Sequence, residues 1–234
     1  MCQEPNYLYL LIGLLTAIVL VTSASPLSLL GIGGGLIVIL SLLMTAYSLT
    51  KRRRQLLLVV LLGISALLPA VWFSTHPEAL ATRVALDIYA VNLVVWLLFT
   101  FYIGLMIFRG LMTAHRIRSN DIYGAISVYL LIGVLFTEAY LLLLVWQPGA
   151  LYFDPGRFPA PEMIGSRQYI RGPGDVLYYS FVTLGTVGYG DVTPASPVAR
   201  SLSLIEAVIG IMYVATMIAR FVAIQIGDNR DAEP

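Results

Sequence analysis

In 234 residues, 59% hydrophobic against 12% charged, there is more apolar surface than a water-soluble domain can hide. The net charge of +1 excludes a general electrostatic pull on nucleic acid or acidic partners. The single cysteine, Cys2, excludes an internal disulfide framework and any multi-cysteine metal site.

The chain therefore reads as an all-α integral membrane protein. A spanning helix needs about 20 apolar residues to cross ~30 Å of hydrocarbon. Six stretches meet that rule: residues 7–22, 27–50, 55–73, 84–108, 122–146 and 199–226. The first is preceded by "MCQEPNY", which has no basic residue and carries Glu4, so "VTSAS" is not expected to be a signal-peptide cleavage site. Ser25 and Pro26 suit the cap and first turn of the second helix. Gly31 and Gly35 on that helix have the spacing that lets two helix backbones approach, either within the chain or between copies. Lys51, Arg52, Arg53 and Arg54 close it.

Trp72 and Trp146 stand at ends of the third and fifth helices, as interfacial aromatics do. The fourth helix holds Asp87 and has no arginine before Arg109. "FRGLMTAHRIRSND" follows, either a basic loop that sets topology or a segment lying on anionic lipid. His115 within it has no neighbouring ligand types and reads as solvent-facing. With six spans, the two basic connections share one side, which places them and both termini in the cytoplasm. Nine Lys/Arg then lie inside, counting Arg220 and Arg230, and five outside: Arg83, Arg157, Arg167, Arg171 and Arg200.

Residues 147–173 are rich in proline and glycine and should carry little regular structure. "GDVLYYSFVTLG" then reads as a helix too short to cross, with Asp175 at its positive end. It must dip in and return, and irregular backbone at that depth is tolerated only beside protein or water. Next comes "TLGTVGYGDVTP", residues 183–194. Glycine takes positive φ at little cost, and Gly188 and Gly190 stand at every second place. The carbonyls of Thr186, Val187, Gly188 and Tyr189, with the Thr186 hydroxyl, can then face one axis. Four such strands would form a cage of oxygens for a dehydrated cation.

"TVGYGD", residues 186–191, resembles the selectivity filter of potassium channels. The short helix before it and one span on each side extend that resemblance over about residues 122–227. It implies a pore unit, 119–234, following a four-helix unit, 1–118, in a homotetramer that passes K+ through Thr186, Val187, Gly188, Tyr189 and Gly190. Tyr178 and Tyr179 match the aromatic pair behind such filters and are expected to brace Tyr189 or Asp191. Asp191, repeated fourfold, would ring the outer mouth. Gly210 stands where the family often has a hinge, though helix packing also accounts for a glycine there. Gly185 departs from the usual threonine or serine, which should loosen the end of the short helix, removes a hydroxyl near the inner ion site and leaves a poorly selective cation channel open. The end of that helix, near Leu184, would turn partial negative charge towards a hydrated ion.

The six-helix layout resembles voltage-gated channels, but the fourth helix lacks the ~3–4 gating charges that steep voltage dependence needs. Weak voltage dependence follows. Val214, Ile218 and Val222 recur on one face of the last helix, as an apolar gate or as helix packing. Asp87, Glu138 and Glu206 are acids within spans; Glu138 and Asp87 are to be satisfied by hydroxyls of neighbouring helices, and Glu206 is expected behind the short helix, near Thr183, as a protonated or hydrogen-bonded brace or as a proton sensor. Arg200 is expected to meet Asp191 of a neighbouring subunit or a lipid phosphate. A potassium transporter with several weak filter copies is the other membrane alternative, but no internal repeat is visible. No nucleophile–base pair or phosphate loop suggests an enzyme, and no cofactor is called for beyond K+ as the permeant ion. The expected location is the plasma membrane.

Overall fold

The computed structural model describes residues 7–23, 83–114, 118–158, 163–164, 167–168 and 172–231. The second and third expected spans, with Gly31, Gly35, the 51–54 cluster and Trp72, lie outside these residues, as do Cys2 and His115.

Five helices carry the described fold: α1 Tyr7–Ser23, α2 Arg83–Thr113, α3 Ser119–Trp146, α4 Pro173–Leu184 and α5 Pro197–Asp231. Among the described residues α2, α3 and α5 are long and apolar enough to cross a membrane, and α1 is a shorter apolar helix. Each runs past the expected limits. α5 spans 35 residues, ~52 Å at 1.5 Å per residue, so it extends well beyond the hydrocarbon.

α2 and α3 form a tight antiparallel pair, separated only by residues 114–118. The Asp121 carboxylate accepts from the Arg118 backbone N–H at 2.9 Å, which closes the first turn of α3. Asn120 accepts from the Tyr7 N–H at 2.8 Å, so α1 begins at this corner. At its other end α1 reaches the start of α4, where Gly174 lies so close to Val21 that an added methyl would sit 2.5 Å from its carbonyl. One core joins Leu10 and Leu14 of α1, Phe99, Ile103 and Ile107 of α2, Val128 and Leu131 of α3, and Met217 of α5. A second, at the opposite end, gathers Phe136, Tyr140, Val176, Tyr179 and Ala199. Hydroxyls inside the bundle bond back to their own helices, as Thr137 does to the Gly133 carbonyl at 2.8 Å.

One expectation needs correction. The 147–173 connection is not irregular throughout: β1 (Leu151–Phe153), β2 (Met163–Ile164) and β3 (Arg167–Gln168) lie within it. β1 pairs antiparallel with β4 (Val192–Pro194), Leu151 opposite Pro194 and Phe153 opposite Val192. Prolines and glycines flank these strands without entering β1, so a three-residue ladder forms between them. The fold is thus helical with small two-stranded additions.

Arg220, counted above as a basic residue on the inner side, also has specific partners, which the sequence did not indicate. Its Nη2 donates to the carbonyls of Leu111, Met112 and Ala114 at 3.2, 2.6 and 3.0 Å. These are acceptors at the end of α2, Leu111 also accepting from the Ala114 N–H at 3.3 Å, where a cation meets the negative end of the helix dipole. Its Nε is buried with no hydrogen-bond partner among the described residues. Arg220→Ala is expected to cost on the order of 2 kcal/mol, because hydrogen bonds from a charged group are lost. A lower thermal midpoint in detergent would register this. Arg220→Lys should recover only part, since an ammonium lacks the guanidinium fork.

Candidate functional site

The site is the turn between α4 and α5. Pro173 starts α4 in the position where its missing N–H is harmless, and Asp175 sits in the first turn. At the far end the N–H groups of Gly185, Thr186 and Val187 donate to the carbonyls of Phe181, Thr183 and Val182, each at 2.9 Å. Gly185 has φ −78° and continues the helical winding. The expected loosening at this glycine does not occur, because its N–H still finds the Phe181 carbonyl four residues back.

Beyond it the backbone alternates. Thr186, Gly188 and Gly190 have φ of 55°, 60° and 79°. Sequence spacing indicated the two glycines and missed Thr186, a β-branched residue in a region such residues avoid. The bonds from residues 185–187 into α4 fix that strained conformation. With those N–H groups spent, the carbonyls of the turn are left for other partners. In the single chain Val187 is 53% exposed and Tyr189 65%.

The two tyrosines behind the turn do different work. The Tyr178 hydroxyl donates to Asp191 at 2.7 Å, and its ring stacks on Tyr189 with centroids 6.4 Å apart and planes 2° from parallel. Loss of water contact, then the bond to the Asp191 carboxylate, pushes the Tyr178 hydroxyl up to about 12, so it stays a donor. Tyr179 faces away from residues 186–191: its hydroxyl lies 2.6 Å from Ser203 Oγ, and its ring meets Tyr140 edge-on at 5.1 Å. One step along a helix rotates a side chain by about 100°, which separates the pair. Asp191 is buried, with the exposed Arg157 guanidinium 3.8 Å away. Its backbone carbonyl accepts from Asp154 at 2.9 Å.

Behind α4, Glu206 is fully buried and meets Ser180 at 2.5 Å and Tyr140 at 2.7 Å, one turn short of the expected Thr183. Gly210 packs against the end of α4, where an added methyl would lie 2.5 Å from the Leu184 carbonyl. α5 runs unbroken through it. Val214, Ile218 and Val222 are exposed on α5. Arg200 Nε donates to the Pro194 carbonyl at 3.3 Å, with the residue otherwise exposed. Glu138 accepts from the Thr100 hydroxyl at 2.9 Å, the kind of partner expected for it. Its Oε2 is buried without a partner among the described residues.

Comparison with known proteins now has a geometry to explain. Residues 140–225, from the end of α3 through most of α5, match the family model described as "Ion channel". Protein LctB of Bacillus caldotenax is 32% identical over 108 residues, covering 46% of this chain and 75% of that protein. Two pore potassium channel c of Oryza sativa subsp. japonica is 37% identical over 89 residues, 38% of this chain and 18% of its own length. Potassium channel K1 of Plasmodium berghei (strain Anka) is 29% identical over 119 residues, 50% of this chain and 6% of its own length. The chain belongs to the potassium channel family.

It spans less than a fifth of the plant channel's length and a smaller share of the Plasmodium one. No solved structure matches. For this family member the residues that sequence reasoning missed are Thr186 as a strained element, Ser180 and Tyr140 as partners of Glu206, and Tyr129, whose hydroxyl reaches the Leu184 carbonyl at 3.4 Å.

Proposed function

We propose that the protein is a potassium-selective channel, passing K+ down its gradient through a homotetrameric pore in the plasma membrane, with both termini in the cytoplasm. The observation that carries this is the run of left-handed residues at Thr186, Gly188 and Gly190, with the preceding N–H groups tied into α4. Such a backbone can turn successive carbonyls to one side, as replacement of an ion's water shell requires. One chain supplies a quarter of the cage, so four are needed. Exposed apolar residues on α5, among them Leu204, Val208, Ile211 and Met212, support burial against other copies.

In this reading Thr186 to Tyr189 hold the ions, Asp191 concentrates cations at the mouth, and Val214, Ile218 and Val222 form an apolar constriction that closes by dewetting. The 109–118 connection meets anionic lipid, and Arg200 contacts a neighbour or a lipid phosphate. The unit before residue 119 adds little voltage dependence, because α2 carries Arg83 and Arg109 at its two ends and no arginine between. The channel does no covalent chemistry. Gly185 is wound into α4 and brings no hydroxyl, so a poorly selective cation channel is the alternative.

The test is flux through purified protein in liposomes. Rubidium uptake driven by a K+ gradient, with lithium and sodium excluded, is expected, together with a tetrameric mass by light scattering. A monomer, or equal rubidium and lithium fluxes, would sink the proposal. Reversal potentials in mixed K+ and Na+ separate it from a poorly selective cation channel.

A further inference from the structure

The Glu206 carboxyl is sealed between three helices, and the hydrogen bonds around it can be counted. Tyr140 of α3 donates to Oε2 at 2.7 Å. Ser180 Oγ of α4 lies 2.5 Å from Oε1 and also 2.7 Å from the Gly133 carbonyl of α3. Oxygens that close need a proton between them. The serine hydroxyl has one proton, and a backbone carbonyl has none. When Ser180 donates to Gly133, the proton in the shorter contact belongs to Glu206.

The neighbouring hydroxyls cannot supply it. The Tyr140 proton lies towards Oε2 at 2.7 Å, the nearer acceptor, with Ser203 Oγ at 3.2 Å. Ser203 donates to the Ala199 carbonyl at 2.8 Å, and Tyr179 lies on Ser203 at 2.6 Å. Among the described residues no cation faces the carboxyl, so an ionised Glu206 would be an unpaired charge in an apolar interior.

We propose that Glu206 works as a neutral carboxylic acid, a positioning residue that fastens α4 to α3 and α5 without adding charge behind the filter. The chain of bonds runs from Glu206 through Ser180 to Gly133. Ser180 is one turn before Leu184, and α4 in turn holds the N–H groups of residues 185–187. An ionised Glu206 would draw the Ser180 proton to itself and release the Gly133 carbonyl, freeing α4 from α3. The positioning role rests on the channel reading; the protonation does not.

Infrared difference spectra of the purified protein in liposomes test the protonation. Glu206→Gln should remove one carboxylic-acid carbonyl band that shifts in heavy water. Ser180→Ala should move that band to higher frequency, because the acid loses its acceptor. Glu206→Gln should keep rubidium flux within about twofold, since an amide donates and accepts at the same two places, whereas Glu206→Ala should lose about tenfold or more. The proposal fails if Glu206→Gln removes no acid band, if Ser180→Ala leaves the band in place, or if Gln loses as much flux as Ala. Should Glu206→Gln not assemble, the Ser180→Ala band still decides. Wild-type protein with no rubidium flux would instead overturn the channel reading, while the infrared bands would still decide the protonation of Glu206.

Discussion

Gly188→Ala or Gly190→Ala is expected to abolish rubidium flux while the protein still assembles. Both residues have positive φ, 60° and 79°, where an added Cβ costs roughly 1–2 kcal/mol. With four chains sharing each ion site, as proposed, the penalty would be about 4–8 kcal/mol per pore, or three orders of magnitude and more in the population of the conducting arrangement. Space is not the issue, because a Cβ at either glycine meets nothing within 4 Å in the single chain. The effect must therefore be conformational. Light scattering controls for assembly, and flux within threefold of wild type would refute the assignment of these residues to the conduction path. Thr186 sharpens the comparison: it already has φ 55° with a side chain, held by its N–H bond to Thr183. Gly188 and Gly190 have no such bond among those joining the turn to α4.

Gly210→Val is expected to break assembly, and Gly210→Ala to weaken it. The first side-chain atom would lie 2.5 Å from the Leu184 carbonyl and 2.9 Å from its Cδ1. A backbone oxygen at the end of α4 cannot rotate aside as a side chain can, so α5 and α4 must separate. Overpacking of this kind costs about 1–3 kcal/mol per site, repeated in every copy. A lower thermal midpoint and a loss of the proposed tetramer in size-exclusion chromatography are the expected results. A glycine kept only as a bend point predicts otherwise: normal melting with altered open probability. That pattern would return Gly210 to the hinge reading.

The parts legible in the sequence were those with a short period. Apolar runs marked the helices at 84–108, 122–146 and 199–226, and the described helices contain each of them. Alternating glycines marked the turn after α4. What escaped notice depended on long-range geometry. Arg220 finds its carbonyls 106 to 109 residues back in the chain, and no local pattern announces such a pairing. Tyr178 and Tyr179 look equivalent in a sequence, yet the helix sends one to Asp191 and the other to Ser203. The partner of Glu206 lies one turn from its expected place for the same reason. β1 is three residues long, too short for a strand signal to rise above the surrounding prolines and glycines.

The ladder between β1 and β4 has a mechanical consequence. Leu151, Tyr152 and Phe153 grip the chain one residue after Asp191, and the Asp154 N–H holds the carbonyl of Asp191 itself. Force applied to the surface loop upstream is thereby delivered to Asp191, at the mouth of the proposed conduction path, with only a few hydrogen bonds between. A toxin, antibody fragment or chemical crosslink anchored on that loop would have a lever on permeation without ever plugging the hole.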